Sequence, residues 1–308
     1  MIKKIIIARH HGFCMGVKRA IGVAEQEAQD KTHRVTILNE IVHNEAVVER
    51  FRREGVGQAS SIDEIDSGTL IISAHGIAPA VIQHAKAKGL NVVDATCPLV
   101  TRIYVIVTKI VENGYHVIHY GDRHHDETEG VVGHAPDRIT VISSKDELES
   151  LPDWKDRKLG LTSQTTANQE EFAQFQALAK QKWPHLEIFD TICNATTQRQ
   201  SAVMDLAPQV DMMLVVGSRS SANSLRLAAI SQAICGKGIL IGSQLDIREE
   251  WFDEDQHVER VGITAGASTP EFLVEAAVKR LLEISGGTAE VILPERRERI
   301  RGQSRSTD

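Results

Sequence analysis

Aromatic residues are scarce in this sequence, 4% of 308, so its core must be mainly aliphatic. No apolar run approaches the roughly 20 residues that span a bilayer, which argues against a membrane protein. Positive charge is not in excess: 35 Lys and Arg stand against 42 Asp and Glu, a net charge of −7. That balance removes the electrostatic case for nucleic acid or an anionic membrane surface. The apolar run that follows Lys3 and Lys4 is too short for a signal peptide. Cysteine is rare as well. Cys14, Cys97, Cys193 and Cys235 include no C-x-x-C pair. The expected location is the cytoplasm, where disulfides are not expected.

What is present is ordinary for a globular chain, 42% hydrophobic and 25% charged, and long enough for two or three domains. One phrase organises it. Asp94-Ala95-Thr96-Cys97-Pro98 closes one apolar run and opens another, and its echo Asp190-Thr191-Ile192-Cys193 comes 96 residues later. Cys14 sits in the same context, between strand-like residues 5–8 and helix-like residues 17–28. Three cysteines at three strand-to-helix junctions predict three similar lobes converging on one site. We place them at 1–97 (with the first strand), 98–193 and 194–284, followed by a tail, 285–308. Cys235 lies inside a helix-like run and reads as a small buried hydrophobe. The arginines of the tail from Glu295 onward read as a solvated, frayed terminus.

Short β-branched runs predict strands at 5–8, 35–38, 70–73, 91–94, 116–119, 140–142, 158–161, 212–216, 239–241 and 261–264. Most are continuous rather than alternating, the pattern of strands buried on both faces of a parallel sheet. Helical patterns lie between them, at 80–88, 170–182, 224–235 and 270–284. The fold class is therefore α/β, with parallel sheets flanked by helices.

In such sheets, ligands bind beyond the carboxyl ends of strands. Those ends carry His43-Asn44, Ser73-Ala74-His75-Gly76, His124-His125-Asp126-Glu127, Thr162-Ser163-Gln164-Thr165-Thr166, Gly217 to Ser224, and Thr264 to Ser268. Each stretch is followed by a helix start, whose free N–H groups favour anions. The 217–224 stretch lacks the Gly-Lys-Ser/Thr of a Walker A loop, but the set as a whole points to an anionic ligand. His43, His75 and His125 are candidate anion donors or proton relays. Glu127 is a candidate acid, close in sequence to His125 and expected near Thr165.

The three junction cysteines should have lowered thiol pKa values at helix N-termini and be ready to bind metal. They could hold zinc or three irons of a [4Fe–4S] cluster, leaving one iron open. Three thiolates make zinc a poor Lewis acid, so softness and ligand count favour the cluster.

Val42-His43-Asn44, Ser73-Ala74-His75-Gly76, Asp94 to Thr101, Gln164-Thr165-Thr166, Cys193 to Gln200 and Thr264 to Ser268 together resemble the IspH/LytB family, the 4-hydroxy-3-methylbut-2-enyl diphosphate reductases. Gly12 to Ala20 is similar to the family's N-terminal signature. The resemblance runs from about residue 5 to residue 282. It implies three α/β lobes in a pseudo-threefold arrangement around a central [4Fe–4S] cluster held by Cys14, Cys97 and Cys193. It also implies loss of the substrate hydroxyl as water, giving isopentenyl and dimethylallyl diphosphate, with ferredoxin or flavodoxin as electron donor. His43, His75, His125, Thr165, Ser221, Asn223 and Ser268 would bind substrate, and Glu127, with Thr165 and His125, would handle protons. The chain departs from the family at Asp126, where proline is usual, and at Ala222, where serine is usual. Asp126 raises the expectation of an altered acidity at Glu127. The competing readings are a cysteine–zinc phosphohydrolase and an iron–sulfur electron carrier.

Overall fold

A computed structural model describes residues 1–293; the arginine-rich tail beyond Glu295 lies outside the described residues. The chain opens with β1 (Lys4–Ile7) and α1 (Met15–Gln29). Next come β2 (Val35–Leu38), α2 (Glu45–Arg53), β3 (Gly57–Ala59), β4 (Thr69–Ile72), α3 (Pro79–Ala87) and β5 (Asn91–Asp94). The middle stretch is α4 (Pro98–Glu112), β6 (His116–Tyr120), α5 (Asp126–His134), β7 (Ile139–Ile142), α6 (Lys145–Ser150), β8 (Leu159–Ser163), α7 (Gln169–Lys182) and β9 (Glu187–Ile188). The last is α8 (Asn194–Leu206), β10 (Met212–Val216), α9 (Ala222–Cys235), β11 (Gly238–Ile241), β12 (Arg260–Ala265), α10 (Glu271–Ile284) and β13 (Glu290–Ile292).

These strands form three parallel sheets, ordered β3-β2-β4-β5, β7-β6-β8-β9 and β11-β10-β12-β1-β13. The three-lobed parallel architecture expected from the sequence is thus the one adopted. Central strands such as Val35–Leu38 and Met212–Val216 are buried along their whole length, which is why they read as continuous, mostly apolar runs rather than alternating ones. The core is aliphatic, with few large rings; Trp183, Phe51 and Phe172 are among the largest fully buried side chains. No helix among the described residues is long and apolar enough to cross a membrane.

Four expectations need correction. The first strand, assigned to lobe one, pairs in parallel with Arg260–Ile263 and with Glu290–Ile292 of the third sheet. The chain therefore starts in the third lobe and crosses to the first through α1. The stretch assigned to the tail begins by contributing that sheet's edge strand. Third, β3, β9 and β13 were not foreseen. All three are edge strands of two or three residues, too short and too little buried to leave a hydrophobic signature. His43 and Asn44 also follow a buried loop, not a strand: β2 ends at Leu38, and Asn39 turns the chain with φ 55°.

Helix α5 carries Glu127, and α5 packs against α3 and α4. Gly130 and Gly133 allow that approach. A methyl group at 133 would overlap the Ala78 side chain, and one at 130 the Tyr104 hydroxyl. Replacing Gly133 with Ala should therefore push α5 off α3. We expect a loss of about 1–3 kcal/mol, read as a lowered urea midpoint with an unchanged m-value. An unaltered midpoint would show that α3 yields without cost.

Candidate active site

Each of the three cysteines is the N-cap of a helix: Cys14 of α1, Cys97 of α4 and Cys193 of α8. Each is tethered in the same way. The Cys14 N–H donates to the Ala267 carbonyl (3.1 Å), Cys97 N–H to Ala74 (2.9 Å) and Cys193 N–H to Thr165 (3.1 Å). Those acceptors lie just beyond β12, β4 and β8. Every junction thus hangs from the carboxyl end of a strand, and the sulfurs are delivered to common ground. The Cys14 sulfur accepts from Val17 N–H (3.5 Å), and the Cys193 sulfur from Thr196 N–H (3.3 Å). Asp94 and Asp190, the repeated acids, close the turns by accepting from the N–H groups of Thr96 (2.8 Å) and Ile192 (3.2 Å).

Gly16 lets the Cys97 sulfur pack against the first turn of α1. A Cβ there would collide with Cys97 Sγ and lie 4.0 Å from Cys14 Sγ. The helix N-terminus does not lower every thiol pKa as expected. Burial pushes the Cys97 and Cys193 thiols up, against the pull of backbone N–H groups. Desolvation of a thiolate outweighs a few hydrogen bonds when nothing else compensates its charge. Cys235, partly buried on α9, donates to the Ser231 carbonyl (3.1 Å) and stands apart from this group.

One cavity is lined by all three sulfur-bearing junctions and by His43, His75, His125, Glu127, Thr165, Ser221, Asn223 and Ser268. Every residue to which the family resemblance gave a site role is brought to it. Glu127 is 2% exposed. Its carboxyl accepts from Thr165 N–H and from Thr165 Oγ1, both at 2.6 Å. Burial raises its pKa to about 7 despite those two bonds, which pull it down. Asp126, expected to disturb this acidity, does not face Glu127. It accepts from Asn39 Nδ2 (3.3 Å) and lies 3.8 Å from His75 Nδ1.

His125 caps α5, its Nδ1 accepting from Glu127 N–H (3.1 Å). In the neutral ring this places the proton on Nε2. Burial pushes the His125 pKa down to about 4 and holds His75 well below its usual range. His43 and His75 stack at 4.0 Å with 14° between their planes, and His125 meets both edge-on at 5.3 and 5.6 Å. His43, His75 and Asp126 are close enough to suggest a cation site. Near-parallel rings 4.0 Å apart, however, cannot both aim in-plane lone pairs at one ion.

Asn223 Nδ2 is buried without a partner. Ser221 caps α9, accepting from Ser224 N–H (3.3 Å). Ser268 donates to the His43 carbonyl (2.9 Å), so its hydroxyl must turn before it can donate to a ligand. Sequence reasoning missed Arg199. This buried side chain joins the Cys193 junction to the Cys14 junction through the Ala195 and Gly12 carbonyls. Its only signal was that it is the single cation on a helix whose one other charged residue is Asp205.

The family described as LytB protein matches residues 5–282. The 4-hydroxy-3-methylbut-2-enyl diphosphate reductase of Halalkalibacterium halodurans is 38% identical over 295 residues, covering 93% of both chains. That of Symbiobacterium thermophilum is 38% identical over 287 residues, covering 90% of this chain and 96% of the relative. The solved structure of the E-1-hydroxy-2-methyl-but-2-enyl-4-diphosphate reductase from Plasmodium falciparum superimposes with a TM-score of 0.91 at 29% identity, over 99% of this chain and 96% of that one. With a family match across nearly the whole chain and this fold, the protein belongs to the LytB family.

Proposed function

We propose that this oxidoreductase removes the hydroxyl of 4-hydroxy-3-methylbut-2-enyl diphosphate reductively, yielding isopentenyl and dimethylallyl diphosphate, with a [4Fe–4S] cluster held by Cys14, Cys97 and Cys193. The observation that carries the reading is the meeting of three N-cap cysteines and a buried, raised-pKa carboxyl in one cavity. The donor set fits such a cluster: three soft ligands, one short of full ligation. The lack of a side chain at Gly16 lets the Cys97 sulfur come close to the first turn of α1, and the buried Arg199 offsets thiolate charge. When bound, the cluster supplies electrons and one iron without a protein ligand, which acts as a Lewis acid.

The chain's own groups do the rest. Asn223 Nδ2 and the Nε2–H of His125 are free to donate to a diphosphate, whose binding energy positions the distant hydroxyl. Binding of a dianion also favours protonation of His75 and His125, whose burial leaves them neutral in its absence. Glu127 holds a proton at a carboxyl oxygen next to Thr165 Oγ1, and this pair forms a relay toward the leaving oxygen. The balance is two electrons and two protons in, one C–O bond broken, one water out.

The electrons require a donor, for which we propose an acidic carrier of the ferredoxin or flavodoxin type. The first turns of α1, α4 and α8 hold no acidic residue. The exposed cations Lys18 and Arg19 lie one helical turn beyond Met15 on α1, Met15 being 81% exposed and adjacent to Cys14, and the exposed Arg102 lies in the first turns of α4, which Cys97 caps. Such a face steers an acidic partner despite the chain's net charge of −7. The cytoplasm remains the proposed compartment, in keeping with cysteines that are all free.

Anaerobically purified protein should contain iron and sulfide; zinc without sulfide would overturn the assignment. In Cys97→Ser the brown cluster absorbance should be lost, and an intact cluster there would refute three-cysteine ligation. Glu127→Gln should keep cluster and substrate binding but lose about 10²–10⁴-fold in turnover. Because the Glu127 pKa is raised from 4.5 to about 7, the acid form is present below that pH. Wild-type turnover should therefore fall as pH rises past about 7. The same sign makes the contribution of Glu127 to stability largest below its unfolded pKa of 4.5, with progressive loss up to about 7. A turnover profile flat from pH 6 to 9 would remove Glu127 as the acid. Lys18→Glu/Arg102→Glu should weaken ferredoxin-driven turnover at low salt and leave dithionite-driven turnover intact. Equal loss with both reductants would place the defect elsewhere.

A further inference from the structure

The interior of α8 holds a cation with no counterion. Arg199 is 5% exposed. Its Nη1 donates to the Ala195 carbonyl (2.8 Å) and its Nη2 to the Gly12 carbonyl, while Nε–H is buried with no partner at all. The ionisable groups that bear on the guanidinium most directly are Cys14 and Cys193; no carboxylate does so among the described residues. Ala195 and Gly12 each lie two residues from one of those cysteines, so the guanidinium spans two of the three junctions.

A buried charge paired only with carbonyl dipoles costs several kcal/mol. Backbone carbonyls could be tied more cheaply by a neutral amide. An arginine is therefore in place for a negative charge, and the thiolates supply it. Three thiolates around a doubly positive cluster give a net charge of −1, and each electron added by the external carrier adds one more. In a low-dielectric interior, that added charge is the principal cost of reduction. The exposed cations Lys18, Arg19 and Arg102 are screened by solvent and compensate much less.

We infer that Arg199 is a positioning residue that acts as the internal counterion of the cysteine-held cluster, setting its reduction potential and locking the Cys14 and Cys193 junctions together. This rests on the reading that the cysteines hold an iron–sulfur cluster. The alternative is a neutral role, in which Arg199 merely ties two carbonyls.

The test uses the full chain, reconstituted anaerobically, as wild type, Arg199→Lys and Arg199→Met. Iron and sulfide are quantified, and the midpoint potential is measured by mediated titration followed by absorbance and electron paramagnetic resonance. Arg199→Lys keeps the charge but not the fork, and its potential should stay near that of the wild type. Arg199→Met keeps the bulk without the charge. It should need a more negative potential, with about tenfold less cluster reduced at the wild-type midpoint, or 59 mV for one electron. A loaded Arg199→Met with an unchanged potential overturns the inference, as does a loaded Arg199→Lys shifted as far as Arg199→Met. If Arg199→Met does not load, thermal melting of the apo-protein decides. Wild-type melting together with rescue of loading by Arg199→Lys supports a charge role. A melting point lowered in both variants refutes it in favour of the structural tie. Wild-type protein without iron or sulfide would instead defeat the proposed function, an outcome separate from any shift in potential.

Discussion

Three hydrogen bonds hold the centre of this molecule. A helix start leaves several N–H groups without partners in the helix. Here the N–H of the N-cap cysteine is satisfied each time by a strand-end carbonyl: Ala267, Ala74 or Thr165. The bond is the same in all three lobes, but the acceptor's place in the chain differs. For Cys14 it lies about 250 residues downstream, whereas for Cys97 and Cys193 it lies within the preceding few tens of residues. The first junction is therefore assembled by tertiary contact, which explains why β1 joins the sheet formed by the last third of the chain. Once these junctions are set, helix axes, sulfurs and strand-end loops all point to one place.

The chemistry of the cavity follows from competition between burial and hydrogen bonding. Glu127 receives two bonds from Thr165, enough in water to keep a carboxylate ionised, yet burial leaves its pKa near 7. The same burial disfavours charge on His75, His125, Cys97 and Cys193. Without a ligand the site is thus close to neutral, apart from Arg199. An anionic ligand at the histidines, or thiolates engaged by metal, would restore the charges that burial suppresses. A preorganised cavity of this sort strengthens every electrostatic contact made inside it.

Much was legible because local physics and global fold agree. The runs at 35–38 and 212–216 end where the strands end, since a strand covered on both faces is apolar almost throughout. Cys97 was legible as a helix cap from Pro98, which suits the first helical turn. Other features left no such trace. Edge strands such as Glu187–Ile188 have no buried face to reveal them. The direction of the Asp126 side chain depends on Asn39 and His75, 87 and 51 positions away in the chain. Arg199 carried no local sign of its role, because nothing near it in sequence shows that its helix is closed in by Gly12.

The sequence by itself determined the parallel α/β class, the three cysteine junctions and the candidate acid, because strand burial, helix capping and turn chemistry are written over short spans. Tertiary structure decided the rest: β1 in the third sheet, thiols raised rather than lowered, a carboxyl near neutrality and a cation between two cysteines. Each of these depends on the local dielectric and on partners distant in the chain, and neither is encoded by a residue's neighbours in sequence.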